Sequence, residues 1–195
     1  MDKKTYIGFG DSLTYGYGVF KGVGFMDRLE ATLENWKVIN SGINGHTTRE
    51  GLMRIDRDVL QYDPDVVTIL FVSNDSALND YQHRAIAEFE INLNKIAELI
   101  LENTKAKIIF ITPPPLIEDD IFPFTTNKAV ADYSEVIRKT ADKFGCYLID
   151  FNTIMLEEAK DDLEDYLQYD GLHLSEKGYD LIYKQILSAI NNIFK

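Results

Sequence analysis

The chain has 195 residues, 45% hydrophobic and 27% charged, with 12 Gly and 5 Pro, which predicts one domain spanning residues 1–195 and excludes a disordered, collagenous or coiled-coil chain. Its 32 Asp and Glu against 20 Lys and Arg give a formal charge of −12, a field that opposes nucleic acid and anionic membrane surfaces. A neutral or cationic small molecule is the expected partner.

Met1–Lys4 run directly into Tyr6–Phe9, a predicted first strand, so no removable apolar leader is expected. Four more short apolar runs read as strands: Val38–Ile39, Val66–Val72, Ile108–Ile111 and Tyr147–Ile149. The third and fourth do not alternate apolar with polar residues, the pattern of strands covered on both faces in a parallel sheet. Between them, residues 22–35, 48–61, 84–103, 127–144 and 175–193 carry apolar side chains at three- and four-residue spacing, as in Phe89, Leu93, Ile96 and Ile100. Strand and helix alternating about five times predict right-handed crossovers and a three-layer α/β/α sandwich around a five-stranded parallel sheet. No apolar run approaches the roughly 20 residues that cross a bilayer, so no membrane association is expected.

In an open parallel sheet, ligands bind outside the carboxyl ends of the strands. After the first strand comes Gly10-Asp11-Ser12-Leu13-Thr14, a turn that either exposes the Ser12 hydroxyl or only caps a helix. After the second comes Asn40-Ser41-Gly42-Ile43-Asn44-Gly45-His46-Thr47-Thr48. That turn either presents backbone N–H groups to an anion or merely connects strand to helix, with Thr47 or Thr48 as cap. The third strand stops in Ser73-Asn74-Asp75, where the Asn74 amide is either a donor to developing negative charge or a turn cap. Near the C-terminus Asp170 stands three residues before His173 across Gly171; from there a carboxylate can reach imidazole Nδ1. Ser175 is the expected cap of the last helix.

In order and over nearly the whole chain, these blocks resemble the SGNH, or GDSL-type, esterase and acylhydrolase superfamily. Gly10-Asp11-Ser12-Leu13 matches its first block, Gly42 its second, Asn74 with Asp75 its third, and Asp170 with His173 its last. The resemblance implies a flavodoxin-like sheet, Ser12 as nucleophile, His173 as general base and then acid, and Asp170 as the group orienting His173. It implies three oxyanion donors, the backbone N–H groups of Ser12 and Gly42 and the Asn74 side chain, with no metal or organic cofactor. Val72 stands where the family usually has Gly, and Leu174 where it usually has Pro. The bulk of Val72 is expected to crowd the oxyanion site.

Asp11, Tyr15, Tyr17, His46, Phe122 and Phe124 are the expected substrate-contacting residues, the last two on the segment Pro113–Phe124 after the fourth strand. A short-chain carboxylesterase is the favoured reading. The resemblance also allows a carbohydrate O-deacetylase, a thioesterase or a lysophospholipase. A non-catalytic small-molecule-binding module, with a phosphate in the first turn, has no use for the Asp170/His173 pair or for Asn74. Cys146, the only cysteine, excludes an internal disulfide and reads as a strand residue rather than a nucleophile. The three histidines lack metal-ligand spacing. A reducing, cytoplasmic setting fits this composition, and nothing in the chain specifies an oligomeric state.

Overall fold

The computed structural model describes residues 3–119, 121 and 123–195. Five parallel strands, β1 (Lys4–Gly10), β2 (Trp36–Gly42), β3 (Val66–Leu70), β4 (Lys107–Ile111) and β5 (Tyr147–Ile149), pair in the order β2-β1-β3-β4-β5. Between β1 and β2 run a single turn, α1 (Ser12–Tyr15), and α2 (Phe25–Thr32). The later helices are α3 (Thr48–Asp58), α4 (Ile86–Asn103), α5 (Asn127–Phe144), α6 (Phe151–Ala159) and α7 (Glu176–Ile193), with 3₁₀ turns at Leu60–Tyr62 and Leu163–Tyr166.

Every residue of β3 is buried, which explains its unbroken apolar run: successive side chains point to opposite faces and both faces are covered. One face, with Tyr6, Val66, Leu70, Ile109 and Ile111, packs with Leu29 of α2 and Ile182 and Ile186 of α7. The other, with Ile7, Phe9, Val67, Ile69, Ile108 and Phe110, packs with Ile55, Phe89, Leu93, Ile96 and Ile137 of α3, α4 and α5. Each such side chain, removed from water, contributes about 1.5–3 kcal/mol.

The three-layer α/β/α expectation is met, and the differences are local. Phe71 and Val72 lie beyond β3 because the chain turns there, the Val72 carbonyl accepting the N–H of Ser76. The predicted helix at 22–35 shortens to α2, α1 stands apart from it, and the 48–61 helix ends at Asp58 before a 3₁₀ turn. The helix α6 was not anticipated. Ser175 caps α7 by accepting from the N–H of Gly178, as expected. Among the described residues, no helix is long and apolar enough to cross a membrane.

Candidate active site

The carboxyl ends of β1, β2 and β3 bring the first three blocks together. Asp11 caps α1, its Oδ1 accepting the Leu13 N–H at 2.9 Å. Capping and exposure of the serine are therefore one arrangement: Asp11 fixes the turn and Ser12 becomes the first helical residue, whose N–H has no intrahelical partner. Burial pushes the Asp11 carboxyl up to about 7, against the Leu13 N–H and reinforced by the nearby Asp75.

The Ser12 hydroxyl lies 2.9 Å from His173 Nε2, and His173 Nδ1 lies 2.6 Å from Asp170 Oδ2. The turn holding this pair is built locally. Gly171 takes φ 67°, and a Cβ there would meet the Ile117 carbonyl at 2.6 Å. Asp170 Oδ1 accepts the N–H groups of Leu172 (3.0 Å) and His173 (2.9 Å). Partial burial raises the Asp170 pKa, but these N–H bonds and the imidazole more than offset it, so the carboxyl sits below its ordinary range. Gln168, absent from the sequence expectations, ties this turn to the loop after α1: Nε2 donates to the Tyr17 carbonyl at 2.8 Å and the Leu174 carbonyl at 2.9 Å. The Tyr17 ring lies 4.4 Å from the His173 ring, centroid to centroid.

Around the expected oxyanion donors the hydrogen bonding is more specific than the sequence suggested. The Gly42 N–H donates to Asn40 Oδ1 at 2.9 Å, and Asn40 Nδ2 donates to the Tyr15 carbonyl at 3.2 Å. Asn74 is buried, its Nδ2 donating to the His46 carbonyl at 3.0 Å and facing Asp11 Oδ2 at 3.5 Å, while its Oδ1 accepts from Gln82 Nε2 at 2.7 Å. Val72 does not crowd this site: its side chain is fully buried in the apolar layer under α3 and α4, with Phe71 and Phe89. It occupies core volume that a glycine would leave empty.

Behind these residues lies a polar layer that the sequence reading missed. Arg54 is buried, and its Nη2 donates to the Gly10 carbonyl (2.8 Å) while Nη1 donates to the Ser41 carbonyl and Asp58 (both 2.8 Å). Its guanidinium stacks over Phe9, 4.6 Å from the ring centre. A cation three residues after the inward Gly51 and beside Ile55 was the available signal. Asp75 accepts from Thr48 N–H and Oγ1, and Thr47 and Glu50 form the capping box of α3. Burial pushes the Asp75 carboxyl up to about 7 against those donors.

The remaining expected residues are dispersed. Tyr15 is exposed and offers only its backbone carbonyl to Asn40. His46 contributes its backbone carbonyl to Asn74, and burial lowers its imidazole pKa, helped by the Arg54 cation. Phe124 lines a cleft of about 480 Å³ with Leu116, Ile117, Tyr169, Asp170 and Leu172. That cleft opens beside Asp170, and Ser12 is not in its described lining. Phe122 lies outside the described residues. Among the described residues, no group of three His, Cys, Asp or Glu is placed to hold a metal ion.

Residues 9–181 match the GDSL-like lipase/acylhydrolase family. The human isoamyl acetate-hydrolyzing esterase 1 homolog is 31% identical over 203 residues, covering 93% of this chain and 79% of the relative. The Saccharomyces cerevisiae isoamyl acetate-hydrolyzing esterase is 26% identical, covering 100% of this chain and 89% of the relative. A crystal structure of a lipase/acylhydrolase from Enterococcus faecalis superposes with a TM-score of 0.84 at 30% identity, covering 97% of this chain and 96% of that one. With its blocks at the ends of β1, β2 and β3 and before α7, the chain belongs to the GDSL-like lipase/acylhydrolase family and is a carboxylic ester hydrolase.

Proposed function

We propose that the chain is one catalytic domain that hydrolyses neutral short-acyl esters, with Ser12 as nucleophile, His173 as general base and then acid, and Asp170 as the carboxylate that orients the imidazole. The observation that carries this reading is the unbroken line from Asp170 Oδ2 to His173 Nδ1 (2.6 Å) and from His173 Nε2 to Ser12 Oγ (2.9 Å). Asp170 Oδ2 accepts a hydrogen bond from His173 Nδ1–H, which keeps that proton on Nδ1 and leaves the Nε2 lone pair facing the hydroxyl.

His173 Nε2 accepts the Ser12 proton as Oγ bonds to the ester carbon, and the carbonyl π pair becomes the oxyanion. When the tetrahedral intermediate collapses, the C–O bond to the alcohol breaks and the alcohol leaves with the proton from Nε2. A water molecule then repeats the sequence on the acyl-Ser12, releasing the acid and restoring the hydroxyl. The N–H of Ser12 and the Nδ2 of Asn74 stabilise the oxyanion. The Gly42 N–H joins them when the Asn40 side chain swings away and frees it. A single donor of this kind is worth about 100- to 1,000-fold in kcat.

Three observations support the substrate class. Two relatives take their names from hydrolysis of an acetate ester. The cleft beside Asp170 mixes Leu116, Ile117 and Phe124 with Glu118 and Asp119, an acidic and apolar lining that disfavours an anionic substrate. The formal charge of −12 opposes anionic lipid surfaces. That charge and a single thiol also support a cytoplasmic setting away from the membrane, which cell fractionation tests.

The decisive experiment is hydrolysis of p-nitrophenyl esters from acetate to decanoate by the wild type and by Ser12→Ala. Turnover highest on the shortest acyl chains, and lost in the variant while its melting temperature is kept, is the expected result. Equal turnover in both proteins overturns the reading.

A further inference from the structure

We propose that Gln82 is a positioning residue for oxyanion stabilisation, holding the Asn74 amide with its nitrogen turned toward the substrate; this rests on the reading of Asn74 as an oxyanion donor. A half-turn about the last torsion of an asparagine exchanges its oxygen and its nitrogen, and only one of the two states offers a donor to negative charge. Three amides in series act with the His46 carbonyl, which accepts from Asn74 Nδ2, to select that state. Asn79 Nδ2 donates to Gln82 Oε1 at 3.0 Å, and Asn79 Oδ1 accepts the N–H groups of Tyr81 (3.2 Å) and Gln82 (3.0 Å). With Oε1 committed as acceptor, Gln82 presents Nε2, which donates to Asn74 Oδ1 at 2.7 Å and to the Gly45 carbonyl at 3.3 Å.

Because Asn74 Oδ1 accepts, its nitrogen lies on the far side. There one hydrogen goes to the His46 carbonyl at 3.0 Å. The other faces Asp11 Oδ2 across 3.5 Å, a separation at which a hydrogen bond is weak, and it is the one left for the oxyanion. The loop carrying Gln82 is anchored independently: the Leu78 N–H donates to the Phe124 carbonyl and the Arg84 N–H to the Asp75 carbonyl, both at 2.8 Å. Gln82 itself is half-buried, and its side-chain bonds run to Asn79, Asn74 and the Gly45 carbonyl rather than to any strand or helix. Its removal therefore leaves the fold standing and loosens one amide.

The test is a double-mutant cycle on p-nitrophenyl acetate with wild type, Gln82→Ala, Asn74→Ala and the double variant, with melting temperatures recorded. Gln82→Ala is expected to lower kcat about 10-fold with KM nearly unchanged, and to cost nothing further once Asn74 is alanine. Gln82→Glu, whose ionised carboxylate only accepts and faces Asn74 Oδ1, is expected to lose more than the alanine variant. If Gln82→Ala lowers the melting temperature, Gln82→Met, which keeps the length and removes the donor, replaces it in the cycle.

The proposal fails if Gln82→Ala keeps full kcat, if it loses the same factor in both backgrounds, or if Gln82→Glu outperforms it. Asn74→Ala with undiminished kcat removes the oxyanion reading and this inference with it. A crippled Asn74→Ala beside an unaffected Gln82→Ala leaves the oxyanion reading intact and removes only the role of Gln82.

Discussion

The backbone nitrogen of Tyr15 lies 2.3 Å from the point that a Cβ on Gly42 would occupy. The end of β2 and the first turn of α1 thus approach so closely that only hydrogen fits between them. The other atoms within reach, the Thr14 carbonyl carbon and Tyr15 Cα at 2.7 and 2.8 Å, are also backbone, so no side chain can swing aside. Glycine in the second block is required by packing, whatever its N–H does in catalysis.

Gly42→Ala should therefore push α1, with Ser12 at its start, away from the end of β2 and out of register with His173 on its separate loop. Overpacking of this kind costs about 1–3 kcal/mol, and misplacing a reacting group by about 1 Å can cost 100-fold in rate. The expected outcome is a urea midpoint lowered accordingly and a kcat about 100-fold below wild type. An unchanged kcat would mean that the Ser12–His173 distance survives the displacement of α1.

Arg54 performs a related task from below. Its two terminal nitrogens bridge the Gly10 and Ser41 carbonyls, one residue before Asp11 and Gly42 respectively, and the Asp58 carboxylate. Arg54→Met keeps the apolar stem over Phe9 but takes one of two cations from Asp58, which keeps Arg57, and a side-chain donor from the Gly10 and Ser41 carbonyls, the first of which keeps the Ile43 N–H, a loss of about 1–3 kcal/mol. Arg54→Lys is expected to recover only part of it, because one ammonium cannot reproduce the fork that spans both strands. Urea unfolding of the two variants checks this. Equal stability of Arg54→Lys and wild type would reduce Arg54 to a point charge.

Such contacts also mark where sequence reading stops. The covered sheet was legible because Val66–Leu70 and Ile108–Ile111 lack alternation, and α5 was legible because Asn127–Phe144 repeats its apolar positions at three- and four-residue spacing. The nine residues of α6 have no side-chain cap and a weak apolar period, so nothing local announced them. Ser12, Asn74, Asp170 and His173 stood out because each interrupts an apolar run or a turn on the edge where strands end. Gln82, Gln168 and Asn40 did not. Their partners are side-chain amides, backbone carbonyls and a backbone N–H brought near by the fold, as with Gln168 and the Tyr17 carbonyl across 151 positions, and such bonds leave no pattern of residue types. Val72 was misjudged for a related reason: its position in the block was plain, but the face it points to depends on where β3 ends.

The buried carboxyl of Asp75 gives a prediction about pH. Its ordinary value is 3.8, and burial raises it to about 7 in the folded protein. Between those values the folded state binds more protons at this site than the unfolded chain does, so stability falls as pH rises. The contribution is complete below about pH 4, is lost progressively as pH climbs, and stays lost above about pH 7. Asn at this position cannot ionise, and its Oδ1 still accepts from Thr48. Asp11, also raised to about 7 and in part by Asp75, contributes a slope of the same sign that persists, somewhat reduced, in Asp75→Asn, so the informative quantity is the wild-type stability minus that of the variant. Each tenfold difference in proton affinity between the folded and unfolded chain is worth about 1.4 kcal/mol, so this quantity should fall by up to roughly 4 kcal/mol between pH 4 and pH 7 and then level off in urea unfolding. A difference that rises with pH would mean that the Thr48 donors and the Arg84 cation outweigh burial and that Asp75 is ionised in the native protein.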